Sequence, residues 1–350
     1  MGIKESTFES IIDGKRVDIY TISNNNGIEL KITNYGAKVV SLVVPDSKGV
    51  PEDIVLGYET FGEYISGNTY FGAIIGRYAN RIANARFFID KEEYLITRNE
   101  ENNHLYGGIK GFDNMVWDVE DSNSRSLVLN LLSEAGDEGY PGNLSVKVKY
   151  SINDNNEFRV DFFATTDNTT IVNLTHHSFF NLGGVYEKIR EISGHEIMIN
   201  ADFFIPVRED LIPTGEIKNV EGTPLDFRSP ALIGKGLKSD YDQIRFSGGY
   251  DHNFVINGQD TDMRTAARVH EPVSGRIMEV LTTKPGIQFY TYNEFNRSET
   301  GKNGMKYYPH TAFCLDPQYF PNSPNIKEFP SPFIQPGEEY KHTTVYRFSV

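Results

Sequence analysis

The chain of 350 residues holds one cysteine and one tryptophan. A lone Cys314 excludes an intrachain disulfide and, by count, a Cys-based zinc site. Within Ala312-Phe313-Cys314-Leu315 it reads as a small buried hydrophobe. Apolar runs long enough to span a bilayer are missing. Positive charge is in the minority, with 34 Lys and Arg against 48 Asp and Glu and a net charge of −14. That balance opposes binding to nucleic acid or an anionic membrane and favours a neutral ligand. Glycine-rich segments with P-loop or dinucleotide spacing are absent, so nucleotide binding has no support. The start, Met1-Gly2-Ile3-Lys4-Glu5-Ser6, lacks a signal-peptide core. The expected location is cytoplasmic, or periplasmic or secreted if a leader has been removed. Helical periodicity is scarce, and only residues 61–64 and 231–238 offer a turn or two.

Strand signals, by contrast, run nearly from end to end. The chain carries 20 Tyr, 23 Phe and 31 Gly, a mixture suited to strands and tight turns. Apolar and polar residues alternate over residues 28–32, 144–150, 158–164 and 343–350. Near-continuous apolar runs fill 38–44 and 127–132. Residues 86–90 and 93–96 read as a hairpin turning across Lys91-Glu92. Composition does not shift at any domain boundary, and no fixed-period repeat appears. The expectation is one all-β antiparallel domain over residues 1–350, a sandwich or barrel with very little helix.

Few residues are placed to do chemistry in such a fold. There are 8 histidines, and none sits in an HExxH or His-x-His arrangement. His176 and His177 are adjacent on a strand and therefore face opposite ways, so only one can enter a pocket. A strand histidine is ordinarily structural; aromatic company would keep water off His177 and tune it toward neutrality. Asp316, before Pro317, is either a strand-end turn former or a shielded carboxylate. Asp251 in Gly249-Tyr250-Asp251-His252-Asn253-Phe254 is either an Asx turn or a hydroxyl acceptor. Arg77, Asn80 and Arg81 form either a solvated loop or a grip on sugar oxygens. Gln288 lies on the face opposite Ile287 and Phe289.

These weak signals gain weight from longer motifs. They are Gly76-Arg77-Tyr78-Ala79-Asn80-Arg81-Ile82, Asp137-Glu138-Gly139-Tyr140-Pro141-Gly142 and Asn173-Leu174-Thr175-His176-His177-Ser178-Phe179-Phe180-Asn181-Leu182. With Tyr250-Asp251-His252-Asn253-Phe254 and Lys284-Pro285-Gly286-Ile287-Gln288-Phe289-Tyr290, they follow in the family's order from about residue 20 to the end. On them the chain resembles the aldose 1-epimerase family, also called galactose mutarotases. The resemblance implies a large antiparallel β-supersandwich, a sugar cleft on one sheet face, and no metal or cofactor. By position it implies His177 as general acid and Asp316 as general base, with Asn80, Arg81, Tyr106, Asp251 and Gln288 binding the sugar.

Two positions depart from the family pattern. Tyr106 stands where the family usually has His, and Asp316 where it has Glu, one methylene longer. A reach shortened by one bond is expected to cost on the order of 100-fold in rate unless compensated. The implied activity is interconversion of the α and β anomers of a free aldose such as galactose or glucose. The implied partner is a monosaccharide, on a monomer or homodimer. The alternative is a catalytically weakened sugar-binding protein or a mutarotase for another sugar. A hydrolase using Asp251 and Asp316 ranks last, because one partner in this cleft is His177 rather than a carboxylic acid.

Overall fold

A computed structural model describes residues 3–67, 69–259, 262–293 and 299–350. Strands dominate it, and the two α-helices among the described residues, Phe61–Ser66 and Asp242–Ser247, are each six residues long. The first begins with a capping box: Thr60 accepts from the Glu63 backbone while the Glu63 carboxylate accepts from the Thr60 backbone. The expected turn over 231–238 is a short strand, Ala231–Leu232, followed by a 3-10 turn, Ile233–Lys235. Helix Asp242–Ser247 had no expectation; its C-cap Gly248 takes the left-handed conformation that ends helices.

The alternating segments pair as their patterns predict. Leu144–Ile152 buries Leu144, Val146, Val148, Tyr150 and Ile152 and exposes Ser145, Lys147 and Lys149 to a greater degree. It is flanked by Ser126–Ser133 and Glu157–Thr166 within a sheet of nine strands. Tyr340–Ser349 sits inside that sheet, between Glu157–Thr166 and Ile277–Thr282. The edge strand Asp118–Asn123 is exposed throughout, rich in acids, and bulged between Val119 and Asp121. Charge and a bulge at an open edge discourage pairing with another chain. The 86–95 hairpin turns one residue earlier than expected. Glu92 opposes Ile89, so the turn is Asp90-Lys91, and Asp90 has the positive φ of 54° that such turns require.

A second sheet holds Asp251, Gln288 and Asp316. Its order includes Phe203–Ile205, Asp251–Val255, Gly286–Tyr290 and Cys314–Gln318, all antiparallel neighbours. The inward faces of both sheets join one apolar core, with Phe162, Tyr346 and Met278 from the first and Phe254, Phe289 and Leu315 from the second. Each such side chain contributes roughly 1.5–3 kcal/mol by leaving water. Two sheets packed face to face over a shared core are the sandwich expected from sequence.

Candidate active site

The site lies on the other face of the second sheet, the face turned away from the shared core. Side chains two residues apart share a face, so Asp251 and Asn253, Gly286 and Gln288, and Cys314 and Asp316 and Gln318 all project the same way. Register then sets them side by side: Gln288 is opposite Asn253 on one neighbour and opposite Asp316 on the other.

His177 arrives from a separate strand, Thr175–His177, which pairs with Ala73–Ile75. Just beyond it, Phe180 and Phe313 exchange both backbone hydrogen bonds, at 2.7 and 2.9 Å. Continuing that antiparallel register places His177 across from Asp316. Their side chains meet, with His177 Nδ1 2.5 Å from Asp316 Oδ2, both almost fully buried. A hydrogen bond this short between an imidazole and a carboxylate is of the charge-assisted kind. Burial pushes the Asp316 carboxyl above its ordinary range, and His177 opposes that shift. With Nδ1 taken, Nε2 is the nitrogen left for a ligand.

The neighbouring His176 shows what the opposite face does. It packs against Tyr150, Phe158 and Tyr346, and its Nε2 meets Ser178 Oγ at 2.7 Å. Burial lowers its pKa to about 3, which keeps it neutral.

A second group of charges forms the other side of the cleft. Arg81 grips Glu100 through two bonds, Nε to Oε2 at 2.7 Å and Nη2 to Oε1 at 2.8 Å. Its Nη1 stands 3.6 Å from Asp251, which also accepts from Gln288 Nε2 at 2.6 Å. Burial raises the Asp251 carboxyl and Arg81 counters it. Burial works against charge on Arg81, yet Asp251 and Glu100 outweigh it and hold the guanidinium more firmly protonated. Asn80 Oδ1 accepts from the Arg81 backbone at 2.9 Å. Arg77 takes no part: its guanidinium is spent on Ser133, Glu134, Pro141 and Gly142 carbonyls and the Ser133 hydroxyl.

Aromatic rings wall the cleft, which encloses about 600 Å³ including its open mouth. Tyr70, Tyr106, Phe179, Tyr290 and Tyr292 stand around Arg81, Glu100, Asp251 and His177. Phe179 and Tyr106 lie 4.8 and 5.2 Å from the His177 ring. Tyr106 and Asn80 have φ of 51° and 65°, a left-handed backbone that costs about 1–3 kcal/mol for residues other than glycine. Leu105 pairs with Arg81, and Gly107 follows at φ 90°, where a Cβ would collide with the Gly76 carbonyl.

Arg77 aside, the seven residues to which the resemblance gave roles therefore belong to one neighbourhood. Arg81, Tyr106, His177 and Asp251 line the opening; Gln288 and Asp316 form the floor beneath it, and Asn80 braces Arg81. Sequence reasoning missed Glu100, which nothing in Asn99-Glu100-Glu101 distinguishes. It also missed Phe179, Tyr290, Asn253 and Gln318, each two residues from a singled-out position and hence legible by alternation. Cys314 is likewise on the cleft face, where its thiol comes within 4.8 Å of ligand atoms of both His177 and Asp316. Tyr292 joins the wall just before residues 294–298, which fall outside the described residues.

Floor residues also carry unmet hydrogen-bonding capacity. Asp316 Oδ1, Gln288 Oε1, Gln318 Nε2, Asn80 Nδ2 and both amide atoms of Asn253 are buried without a protein partner. Such groups look to solvent or to a ligand rich in hydroxyls.

Comparison with known proteins agrees with this geometry. The family model described as Aldose 1-epimerase matches residues 18–347. The chain is 43% identical to a galactose mutarotase of Bos taurus over 323 residues, 92% of each protein. It is 36% identical to an aldose 1-epimerase of Escherichia coli (strain K12) over 338 residues, 96% of each. Among solved structures it is similar to a GalM/aldose epimerase homologue from C. elegans, with a TM-score of 0.88 and 29% identity over 95% of this chain and 99% of that one.

Proposed function

Because this chain belongs to the aldose 1-epimerase family and interconverts the anomers of a free aldose, we propose that His177 and Asp316 move its protons. The observation that carries this reading is the 2.5 Å link between the two side chains at the floor of a hydroxyl-seeking cleft.

The reaction requires one proton to leave O1 and another to reach the ring oxygen. Asp316 Oδ1, free of any protein partner, takes the O1 proton while imidazolium Nε2 delivers one to O5. The C1–O5 bond breaks and C1=O1 forms, leaving a neutral acid and a neutral imidazole. The open aldehyde turns about C1–C2, exposing its other face. Return of the O5 proton to Nε2 and of the carboxyl proton to O1 closes the ring as the opposite anomer. The Nδ1–Oδ2 bond suits both stages, since it joins an ion pair before opening and a neutral pair after it.

Arg81, Asp251, Gln288, Asn80 and Tyr106 are proposed to hold the remaining hydroxyls, so that C1 alone is free to turn. The substrate is a monosaccharide, and galactose or glucose is the proposed aldose, following the names of the relatives. Residues 1–350 are proposed to act as one domain, as a cytoplasmic monomer or homodimer. No helix among the described residues is long and apolar enough to cross a membrane.

Nothing in the site favours a catalytically weakened binder, because acid and carboxylate remain in contact despite the shorter Asp316. A hydrolase reading also lacks support: Asp251 is engaged by Gln288 and Arg81 rather than free to act. Polarimetry on freshly dissolved α-galactose and α-glucose tests the assignment, with His177→Asn and Asp316→Asn alongside wild type. Unchanged rates in both variants would remove it.

A further inference from the structure

We propose that Cys314, His177 and Asp316 together form an inhibitory site for a thiophilic divalent cation of the Zn²⁺ or Cd²⁺ class. Counting cysteines excludes a site made of several thiolates, but a mixed site needs only one. The fold supplies the other donors. Cys314 and Asp316 are two residues apart on one strand and share its cleft face. His177 stands across from Asp316 on the adjoining strand. One ligand atom from each of the three lies within 4.8 Å of the others, and all three residues are buried.

A nitrogen, a sulfur and a carboxylate oxygen are the donor set that borderline-soft cations select. Zinc holds sulfur at about 2.3 Å and nitrogen or oxygen at about 2.0–2.2 Å, so tetrahedral ligands lie roughly 3.3–3.8 Å apart. With His177 and Asp316 at 2.5 Å and all three ligand atoms within 4.8 Å of one another, that spacing needs about 1 Å of side-chain movement. A second observation points the same way. Asp316 Oδ1 is buried without a protein partner, so the carboxylate has a lone oxygen to give. Phe179 and Tyr290 wall the site and limit the water that would compete for the ion.

Binding releases the Cys314 thiol proton and the proton on His177 Nδ1, while Asp316 enters as the carboxylate. The ion thereby replaces the hydrogen bond on which the proposed proton transfers depend. Capture of the ion stands on geometry alone; inhibition rests on the anomer-exchange reading.

Titration of the intact protein with cadmium chloride tests both halves. Because the chain has one cysteine, any ultraviolet thiolate-to-cadmium charge-transfer band reports Cys314. The expected result is a band saturating at one ion per chain, displaced by Zn²⁺ and absent from Cys314→Ala. Turnover should fall along the same titration and return with EDTA. Cys314→Ala should keep its turnover while its inhibition constant rises at least about 100-fold, since even indirect losses around a metal cost about 10–100-fold. Lack of a band overturns the site. Equal inhibition of Cys314→Ala, or a band without loss of turnover, overturns its inhibitory role. Should Cys314→Ala not fold, X-ray absorption of zinc-loaded wild type decides instead, one sulfur neighbour supporting the site and none refuting it. A protein inactive from the outset fails the anomer-exchange reading, and the band still answers for the metal.

Discussion

The two faces of the sheet that carries Asp251, Gln288 and Asp316 are both buried, yet they obey opposite rules. The core side presents Phe254, Ile287, Phe289 and Leu315, which interlock with the nine-stranded sheet. The cleft side presents Asn253, Gln288, Asp316 and Gln318, which carry five buried polar atoms without a protein partner. The core side has one such atom among the described residues, His252 Nε2. Unmet hydrogen-bonding capacity of this kind suits solvent or a polar ligand, whereas the apolar residues on the other face serve the fold. Burial by itself does not separate the two, but hydrogen-bond satisfaction does.

The sharpest way to break this contrast is to remove one charge from the cleft face. Asp316→Asn should lower kcat by roughly 10²–10⁴-fold with KM little changed, as read by polarimetry, because it deletes the proposed proton acceptor and leaves the shape intact. A change confined to KM would mean that Asp316 binds and does not react.

The core face should respond in stability instead. Phe289→Ala is expected to cost about 3–5 kcal/mol in denaturant unfolding. At temperatures where the variant remains folded, KM should match wild type. A large KM effect would show that the two faces are not independent.

Gln318→Leu tests whether the unmet groups serve the sugar. It should raise KM by about tenfold, roughly the worth of one hydrogen bond to a ligand, while leaving unfolding within about 1 kcal/mol of wild type. A strong loss of stability with unchanged KM would assign Gln318 to the fold.

Acidification should act on the faces in different ways. Burial raises the Asp316 carboxyl above the ordinary 3.8, and the proposed proton transfer needs it ionised. The acid limb of kcat/KM should therefore lie above pH 3.8. An acid limb at or below that value would contradict a buried carboxylate base. His176 is the reverse case: burial depresses its folded pKa from 6.5 to about 3. The unfolded chain then binds the extra proton first, so this stability is present above pH 6.5 and is lost as pH falls toward 3. Melting temperature against pH reads that loss, and His176→Leu should reduce it, with His104, His195, His252 and His342, whose pKa values burial also lowers, accounting for the remainder.

Much of this was legible in the one-dimensional pattern. Alternation in Leu144–Ile152 and Tyr340–Ser349 named the strands and their inner faces, because a period of two forces side chains to alternate sides. It also separated His176 from His177. The same rule, carried two residues further, points to Phe179, Asn253, Gln318 and Tyr290. The Asp90-Lys91 turn escaped by one residue because either register keeps the same hydrophobic tally.

What the sequence determined by itself is the class of structure and the roster of groups able to react, since both follow from residue type and local periodicity. Which groups meet was decided by tertiary structure. His177 and Asp316 are 139 positions apart, and Arg81 finds Glu100 and Asp251 from three separate segments. No local rule contains a pairing between distant strands, because register between them is set by the packing of a shared core, and the distances that make chemistry exist only once that core has formed.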